Sequence, residues 1–264
     1  MKKLISFTIK AEKGFLKKPD INDGIYLTYN MLHKPAILGI LGAIIGLEGY
    51  KENGKLPDYY EKLKDIPVGI EPIGAEKGNF QKTTITYNNT TGLASNEQGG
   101  NLMITEQTLI NPSYKIYLLL DLEDENQKQI YENIKNQKAV YLPYLGKNDY
   151  SLWWDKCMVE EYEWEYFEKD LNFKISTLFK KDEAIVNFIA KAIGRRALAG
   201  KKNDFNYFER LPINFNEDLF QYNYGDFAFS NAKLEEDVAI DSKNLYKIKN
   251  IVDVKSKAEA VFLY

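Results

Sequence analysis

The sequence predicts an α+β fold in which a strand-and-helix half is followed by a β-rich half. Over roughly the first 150 residues, apolar positions alternate between strand-like and helix-like spacing. After Pro143 the composition shifts to aromatic, strand-like segments. With 264 residues, 14% of them aromatic, the chain can bury a substantial core. We therefore expect one domain over residues 1–150 and a smaller subdomain over 151–264.

The first predicted strand covers Leu4 to Lys10, where Ile5, Phe7 and Ile9 alternate on one face, the pattern of a half-buried strand. A short strand from Ile25 to Tyr29 follows. A helix is predicted from Pro35 to Leu47 because proline suits the first turn of a helix. This helix is apolar all round and contains three glycines, which is tolerable if the helix lies close against a sheet.

The rest of the first half continues the same alternation. The predicted elements are a short helix near Tyr59–Leu63, a strand over Ile66–Ile73, a strand over Tyr114–Leu120, a helix over Glu123–Gln137 and a strand over Ala139–Leu142. Without the insertion described next, the order is strand, helix, strand, strand, helix, strand. That is the split βαβ pattern of a ferredoxin-like or RRM-like sheet.

Residues 74–110 interrupt this pattern. Strand-like Phe80–Tyr87 and Leu102–Ile110 flank a long polar tract, residues 88–100. A compact domain rarely keeps so long a loop without a use for it. We predict a β-hairpin that projects from the body.

The second half is predicted to be mainly β-structure. Its strand-like segments are Trp153–Phe167, Asn172–Phe179, Phe205–Ile213 and Leu219–Phe229, with one helix at about Asp182–Ile193. The acidic run from Glu160 to Glu165 is typical of the solvated face of a strand.

Composition excludes several classes of protein. The net charge of −3 means that any nucleic-acid site must be a local basic patch. The single cysteine, Cys157, excludes an internal disulfide and a thiolate-cluster metal site. No Walker loop or Gly-x-Gly-x-x-Gly motif is present, so no cofactor is expected. The longest apolar run, residues 36–47, is too short to cross a bilayer, and we expect a cytoplasmic protein that does not contact a membrane.

Two basic segments are candidates for binding phosphates. The first consists of Lys10, Lys13, Lys17 and Lys18, with His33 and Lys34 at the start of the long helix; the second consists of Lys191, Arg195, Arg196, Lys201 and Lys202, interleaved with Gly194 and Gly200. Lysine and arginine beside flexible glycine suit contact with a phosphate backbone, although both segments also fit a merely solubilising surface. Tyr141, Tyr144 and Tyr150 around Lys147 suit base stacking, or alternatively packing at a subdomain junction.

Catalysis has one candidate residue. His33 is the only histidine, and no Gly-x-Ser-x-Gly elbow accompanies it. A lone polar residue before a helix is more often a cap.

Three segments resemble a known family. They are residues 29–47 (YNMLHKPAILGILGAIIGL), 111–117 (NPSYKIY) and 141–150 (YLPYLGKNDY). The first is similar to the Leu-Gly-x-Leu-Gly-Ala-x-x-Gly helix of the CRISPR-associated RAMP proteins of the fifth Cas family. The second is similar to that family's Asn-Pro-x-Tyr strand opening, and the third to its Pro-x-x-Leu-Gly loop. The polar hairpin falls where the family carries a protruding hairpin called the thumb. Overall, the sequence resembles the type I-B branch of the family most.

The resemblance implies a RAMP fold and a non-catalytic subunit of a type I surveillance (Cascade) complex. Such a subunit binds the 5′ handle of the guide RNA (crRNA), contacts the backbone and large subunits, and meets target DNA indirectly. The RNA-binding residues are then expected among the two basic segments and Lys147. Thumb contacts are expected at Lys82, Asn88, Asn89, Gly92, Gln98 and Gly99.

Two alternatives remain. In the type I-C branch the family member itself cuts the guide precursor with tyrosine, lysine and histidine. Tyr29, His33 and Lys34 offer those residue types here, but in a different part of the chain, which favours a binding subunit. If the chain is not such a binding subunit, the first alternative is a metal-independent endoribonuclease that uses His33. The second is an unrelated α+β binding module.

Overall fold

The computed structural model describes residues 1–19, 24–89, 102–167, 172–181, 205–231, 234–235, 242–249 and 259–264. The helices are Lys34–Ile45 (α1), Asp58–Leu63 (α2) and Glu125–Asn136 (α3), with 3-10 turns at Lys156–Met158 and Ser242–Asn244. The strands are Lys2–Ala11 (β1), Lys13–Gly14 (β2), Ile25–Tyr26 (β3), Val68–Pro72 (β4), Lys82–Asn89 (β5), Leu102–Ile110 (β6), Ser113–Asp121 (β7), Leu152–Trp154 (β8), Glu160–Tyr162 (β9), Trp164–Tyr166 (β10), Asn172–Ile175 (β11), Phe179–Lys180 (β12), Asn206–Asn216 (β13), Gln221–Ser230 (β14), Leu234–Glu235 (β15), Leu245–Ile248 (β16) and Glu259–Phe262 (β17).

Strands between residues 2 and 162 form an antiparallel sheet with the strand order β4-β7-β1-β8, in which β9 also pairs with β1. The predicted strand over Ala139–Leu142 is wrong, because the strand beside β1 begins at Leu152. Instead, the N–H groups of Val140 and Tyr141 donate to the carbonyl groups of Ile44 and Ala43, at 3.1 and 3.0 Å. The last carbonyl groups of a helix have no hydrogen-bond donor within the helix. Residues 140 and 141 supply donors to two such groups of α1.

Strand β1 is buried on both faces, so the prediction of a half-buried strand is wrong. Ile5, Phe7 and Ile9 do pack into the core formed with α1 and α3. Leu4 packs on the opposite face, against side chains from the sheet β10-β16-β17-β11-β15, among them Val261. Ser6 and Thr8 made that face resemble a solvated one, but a second layer covers it.

Helix α1 begins and ends at residues suited to those positions. The Nδ1 atom of His33, the N-cap, accepts a hydrogen bond from the N–H group of Ala36, and Pro35 occupies the first turn. Gly46 ends the helix with a left-handed φ of 83°. At Gly42 the predicted close approach is made by α2 rather than by a sheet, because a Cβ atom on Gly42 would lie 2.5 Å from Cβ of Tyr59.

The predicted hairpin arms are present as β5 and β6, which pair antiparallel from Lys82 opposite Leu109 to Asn89 opposite Leu102. Strand β6 also pairs with β2 and β3. The polar residues 90–101 between the arms lie outside the described residues.

In the second half, β13 and β14 form a long antiparallel pair flanked by β12. Leu211, Phe215 and Phe227 from these strands pack into the same core as β1 and α1. The division into a domain over residues 1–150 and a subdomain over 151–264 stays a prediction. The predicted helix at 182–193 lies outside the described residues.

The acidic run is not simply a solvated face. Glu161 accepts hydrogen bonds from Lys135 at 2.6 Å and from Lys3 at 3.0 Å, and Glu160 pairs with Lys115 at 3.1 Å. These ion pairs join the run to β1, β7 and α3. The hydrogen bond from Lys135 is the largest cause that lowers the pKa of Glu161 to about 2, and the bonds from Tyr131 and Lys3 add to it.

Candidate functional site

The three segments singled out in the sequence meet around residues 11–16. The N–H group of Phe15 donates to the carbonyl oxygen of Leu145 at 3.0 Å, and that of Ala11 donates to Pro112 at 3.2 Å. Residues 29–47 complete the arrangement, since the N–H group of Tyr29 donates to the carbonyl oxygen of Leu16 at 2.7 Å. The turn after β1 is therefore the place where these distant stretches of chain come together.

Gly146 is needed for this meeting. Its φ is +90°, a conformation that side chains with a Cβ atom rarely adopt. A Cβ atom at this position would lie 1.8 Å from the carbonyl oxygen of Phe15. The Leu-Gly pair of the third segment thus fits a close backbone approach that any larger residue would prevent.

A cleft of about 710 Å³ opens between α1 and residues 141–146. We call it the tyrosine cleft, because five tyrosine side chains line it: Tyr50, Tyr59, Tyr141, Tyr144 and Tyr222. One wall is the small-residue face of α1, with Ala36, Gly39 and Ala43. Lys17 and Lys51 lie at its edge, and Lys51 forms an ion pair with Glu48.

The first basic segment divides into solvent-facing and internally bonded lysines. Lys13 and Lys17 are exposed, and the Lys17 ammonium group lies 3.9 Å from the centre of the Tyr26 ring. Lys18 is partly buried, with its ammonium group 3.7 Å from the Glu209 carboxylate. Lys10 lies 3.8 Å from Asp155. Lys13 and Lys17 are thus the lysines of this segment best presented to a ligand.

His33 lies inside the protein, 5% exposed, between the rings of Tyr29 and Tyr222. Burial lowers its pKa to about 3, so the imidazole is neutral at physiological pH. One ring nitrogen is already occupied by the helix cap.

Lys34 also points inward, although we predicted it among the residues that bind phosphates. Its ammonium group donates to the main-chain oxygen of Tyr264 at 2.9 Å. Burial lowers the pKa of Lys34 to about 8, with Asp65 opposing and Lys180 adding to the effect. The side chain holds the 259–264 segment and is not presented to a phosphate at the helix N-terminus.

Asn30 and Glu209 were missed in the sequence, yet they organise the segment that leads into α1. The Glu209 carboxylate, 8% exposed, accepts the N–H groups of Asn30 and Met31 at 3.0 and 2.9 Å. The Asn30 side chain bonds to Gly78, Phe80 and Lys82. No local pattern marks either residue, because each acts through partners that are remote in sequence.

Lys82 and Lys147 both lie at the base of the hairpin. Lys82 donates to Asn30 at 2.8 Å, and burial lowers its pKa. Lys147 donates to Glu106, which is 2% exposed, at 2.7 Å, and its ammonium group lies over the rings of Tyr87 and Tyr150. Although desolvation opposes it, the bonds to Glu106 and Asp149 raise the pKa of Lys147. Both lysines therefore tie the hairpin to the body.

Several predicted residues lie outside the described part of the chain. They are Lys191, Arg195, Arg196, Lys201 and Lys202 of the second basic segment, and Gly92, Gln98 and Gly99 of the hairpin. Asn88 and Asn89 end β5, next to the undescribed tract, and Asn88 is exposed.

Within the described ranges, no three histidine, cysteine, aspartate or glutamate side chains are grouped so that they could hold a metal ion. A search of the same ranges finds no helix with the length and apolarity needed to span a membrane. The cytoplasmic location and the lack of a cofactor stay predictions.

Comparison with known proteins gives likeness only at the level of structure. No protein-family model and no curated protein matches the sequence. Three solved structures are similar over most of their length. The first is described as a CRISPR RNA-guided surveillance complex (9% identity, 89% of this chain and 93% of that chain, TM-score 0.48). The second is a CRISPR protein from Archaeoglobus fulgidus (11%, 94% and 95%, TM-score 0.43). The third is the Type III-B Cmr-beta bound to cognate target RNA and AMPPnP (10%, 89% and 86%, TM-score 0.44). Likeness at these scores carries no argument about family or function.

Proposed function

We propose that this chain is a non-catalytic guide-RNA-binding subunit of a type I CRISPR surveillance complex, a RAMP protein of the fifth Cas family. In this role it holds the 5′ handle of the guide RNA. It also contacts the backbone subunit through the hairpin, contacts the large subunit, and meets target DNA indirectly.

The observation that carries the proposal is the meeting of the three family-like segments. Residues 29–47, 111–117 and 141–150 are far apart in sequence but all contact the turn after β1. A chance resemblance gives no reason for three short motifs to converge. The same turn exposes Lys13 and Lys17 to solvent, and Lys17 lines the tyrosine cleft. Lysine and tyrosine are the residue types that grip splayed single-stranded RNA.

The sheet supports the fold that the proposal needs. A ferredoxin-like sheet places its first and third strands in the centre, with the second and fourth at the edges. The order β4-β7-β1-β8, with every pair antiparallel, has this arrangement once β8 replaces the wrongly predicted strand. The β5–β6 pair is inserted between β4 and β7, where the resemblance expects the thumb.

The surroundings of His33 favour binding over catalysis. A ribonuclease that needs no metal transfers protons at both ends of the scissile bond, with groups whose pKa lies near the working pH. The His33 pKa of about 3 and the bond from Ala36 leave this side chain unsuited to that task. His33 instead stabilises the start of α1.

The test is RNA binding and processing by the purified chain. The RNA is a fluorescent single strand transcribed from the CRISPR repeat of the source organism. We expect salt-dependent binding and no cleavage of the repeat, and the tagged chain purified from its own cells should carry a short RNA of uniform 5′ end together with backbone-type subunits. Cleavage that is abolished in His33→Ala would contradict the non-catalytic proposal, and absence of any RNA from the native complex would contradict the RNA-binding role.

A charge-reversal pair sharpens this test. Lys13→Glu with Lys17→Glu should weaken RNA binding and reduce the slope of log affinity against log salt by about 0.7 for each phosphate that the protein no longer neutralises. The matched control is Lys2→Glu with Lys128→Glu, two exposed lysines near the start of β1 and on α3. Equal reductions in affinity in both pairs would mean that only net charge matters.

A further inference from the structure

The residues that line the tyrosine cleft are typical of a ligand-binding site rather than of a void between imperfectly packed side chains. Its volume of about 710 Å³ lies in the range of ligand pockets. Tyr50, Tyr141 and Tyr144 are 63%, 52% and 44% exposed, so large aromatic surfaces stand in water at its edge. Exposed apolar surface grouped in one concave place usually marks an interaction site.

Part of the α1 wall of the cleft is made of small residues. Ala36, Gly39 and Ala43 face the space, and a Cβ atom on Gly39 would have only ordinary contact, 3.7 Å, with the Tyr59 ring. Tyr59 itself is held by close packing on Gly42. A flat ligand could therefore lie along the helix without moving it.

Polar groups converge inside this apolar space. Burial raises the pKa of the Tyr59 phenol, and the nearby phenols of Tyr50, Tyr222, Tyr144 and Tyr60 raise it further. Of these five residues, all but Tyr60 line the cleft, which brings four phenol hydroxyl groups to it. None of the four bonds to another group in the described part of the chain. A ligand with hydrogen-bonding edges would give them partners, whereas a purely apolar one would not.

The side chain of Lys17 supplies a positive charge at the edge of the tyrosine cleft. The ammonium group of Lys17 lies over the Tyr26 ring and has no carboxylate partner in the described ranges. Lys13 is exposed four residues earlier on the same turn. A negatively charged backbone passing these lysines would bring an attached ring to the edge of the cleft.

We propose that the tyrosine cleft takes one nucleobase turned out of the guide RNA strand, next to phosphates held by Lys13 and Lys17. This deepens the proposed function and rests on it. A nucleobase is flat, stacks on tyrosine, and offers hydrogen-bond donors and acceptors at its edge. A free mononucleotide presents the same chemistry, so the test separates the two sources.

The experiment replaces each nucleotide of the repeat-derived RNA, in turn, by an abasic residue and measures the Kd of the purified chain by fluorescence anisotropy. We expect one position at which base removal weakens binding about 5- to 150-fold, the range that corresponds to one stacked base. Tyr144→Ala should weaken binding of intact RNA by a similar factor and have little further effect on the RNA that lacks that base. Tyr144→Phe should keep most of the affinity. Tyr166→Ala, at a tyrosine that is 63% exposed and does not line the cleft, is the control.

Four results would overturn the proposal. The first is salt-dependent RNA binding with equal effects at every abasic position and wild-type affinity in Tyr144→Ala; in that case the RNA-binding function stands and the cleft assignment fails. The second is no RNA binding by the chain or its native complex, in which case both fail. The third is micromolar binding of AMP, GMP, CMP or UMP that the guide RNA does not displace, which would make the cleft a nucleotide site. The fourth is a photo-crosslinker at position 144, in the native complex, that labels a protein subunit instead of RNA.

Discussion

Gly146→Ala is the sharpest available test of how the candidate site is built. The substitution adds a single methyl group, but its Cβ atom would lie 1.8 Å from the carbonyl oxygen of Phe15 and 2.5 Å from the carbonyl carbon. Both are backbone atoms, so no side-chain rotation can relieve the overlap. The chain must instead separate residues 144–147 from the turn after β1.

Two terms contribute to the cost. Placing alanine at a φ of +90° costs about 1–2 kcal/mol. Relieving the overlap adds about 1–3 kcal/mol, as for other overpacked sites. The sum, about 2–5 kcal/mol, corresponds to a fall of about 4–10 °C in Tm for a chain of this size.

The assay is thermal and urea unfolding of Gly146→Ala beside Gly74→Ala. Gly74 has a similar φ of +72°, but a Cβ atom there would have no neighbour within 4 Å. The control therefore carries only the conformational cost, about 1–2 kcal/mol. Equal destabilisation of the two variants would refute the close approach between Gly146 and Phe15. RNA affinity measured below both unfolding transitions should fall only in Gly146→Ala, because that substitution moves one wall of the tyrosine cleft.

Three further predictions concern buried polar groups. Glu209→Ala removes the acceptor for two buried N–H groups before α1 and should cost about 3 kcal/mol in urea unfolding. Glu165→Ala, at an exposed ion pair, should cost much less. Similar costs would mean that the carboxylate at 209 does not hold this segment. His33 is neutral in the folded protein and binds a proton below about pH 6.5 when unfolded, so the stability it contributes is complete above that pH and is lost as the pH falls towards 3. Between pH 7 and 5.5 the loss of stability should be about 1 kcal/mol. His33→Asn keeps a capping side chain and should remove this pH dependence. The same pH dependence of stability in His33→Asn as in the wild type would show that the imidazole is not buried in its neutral form. Lys147→Met leaves the buried Glu106 carboxylate without its cation and should cost about 3 kcal/mol of stability. A second change, Glu106→Gln, should recover much of that stability. No recovery would mean that poorer packing, and not the unpaired charge, causes the loss.

Much of the secondary structure was predictable because it depends on neighbouring residues. Alternating apolar positions located β1 and β7, and a proline at the start of an apolar run located α1. The hairpin arms followed from two strand-like runs around a polar tract. For β1 the alternation recorded the face that packs into the first core, whereas no pattern recorded the burial of its second face.

The candidate site was predictable only in part. The motif segments and the basic turn were recognised, and Tyr141 and Tyr144 were among the candidate stacking residues. Tyr50, Tyr59 and Tyr222 were not, because they reach the cleft from separate elements. Lys34 shows the opposite error: a cation before a helix suggests an anion site, yet this one turns inward to Tyr264.

The amino-acid sequence by itself determined strands β1 and β7, helices α1 and α3, the two arms of the hairpin, and the concentration of positive charge in the turn after β1. Only the tertiary structure decided which strand lies beside β1, which lysines remain available to a ligand, and that Glu209 holds the entry to α1. The physical reason is the distance along the chain. A periodic pattern records that a face is buried, but not what buries it, and the Lys34–Tyr264 bond joins residues 230 positions apart. Such contacts form only when the whole chain has folded, so no local pattern records them.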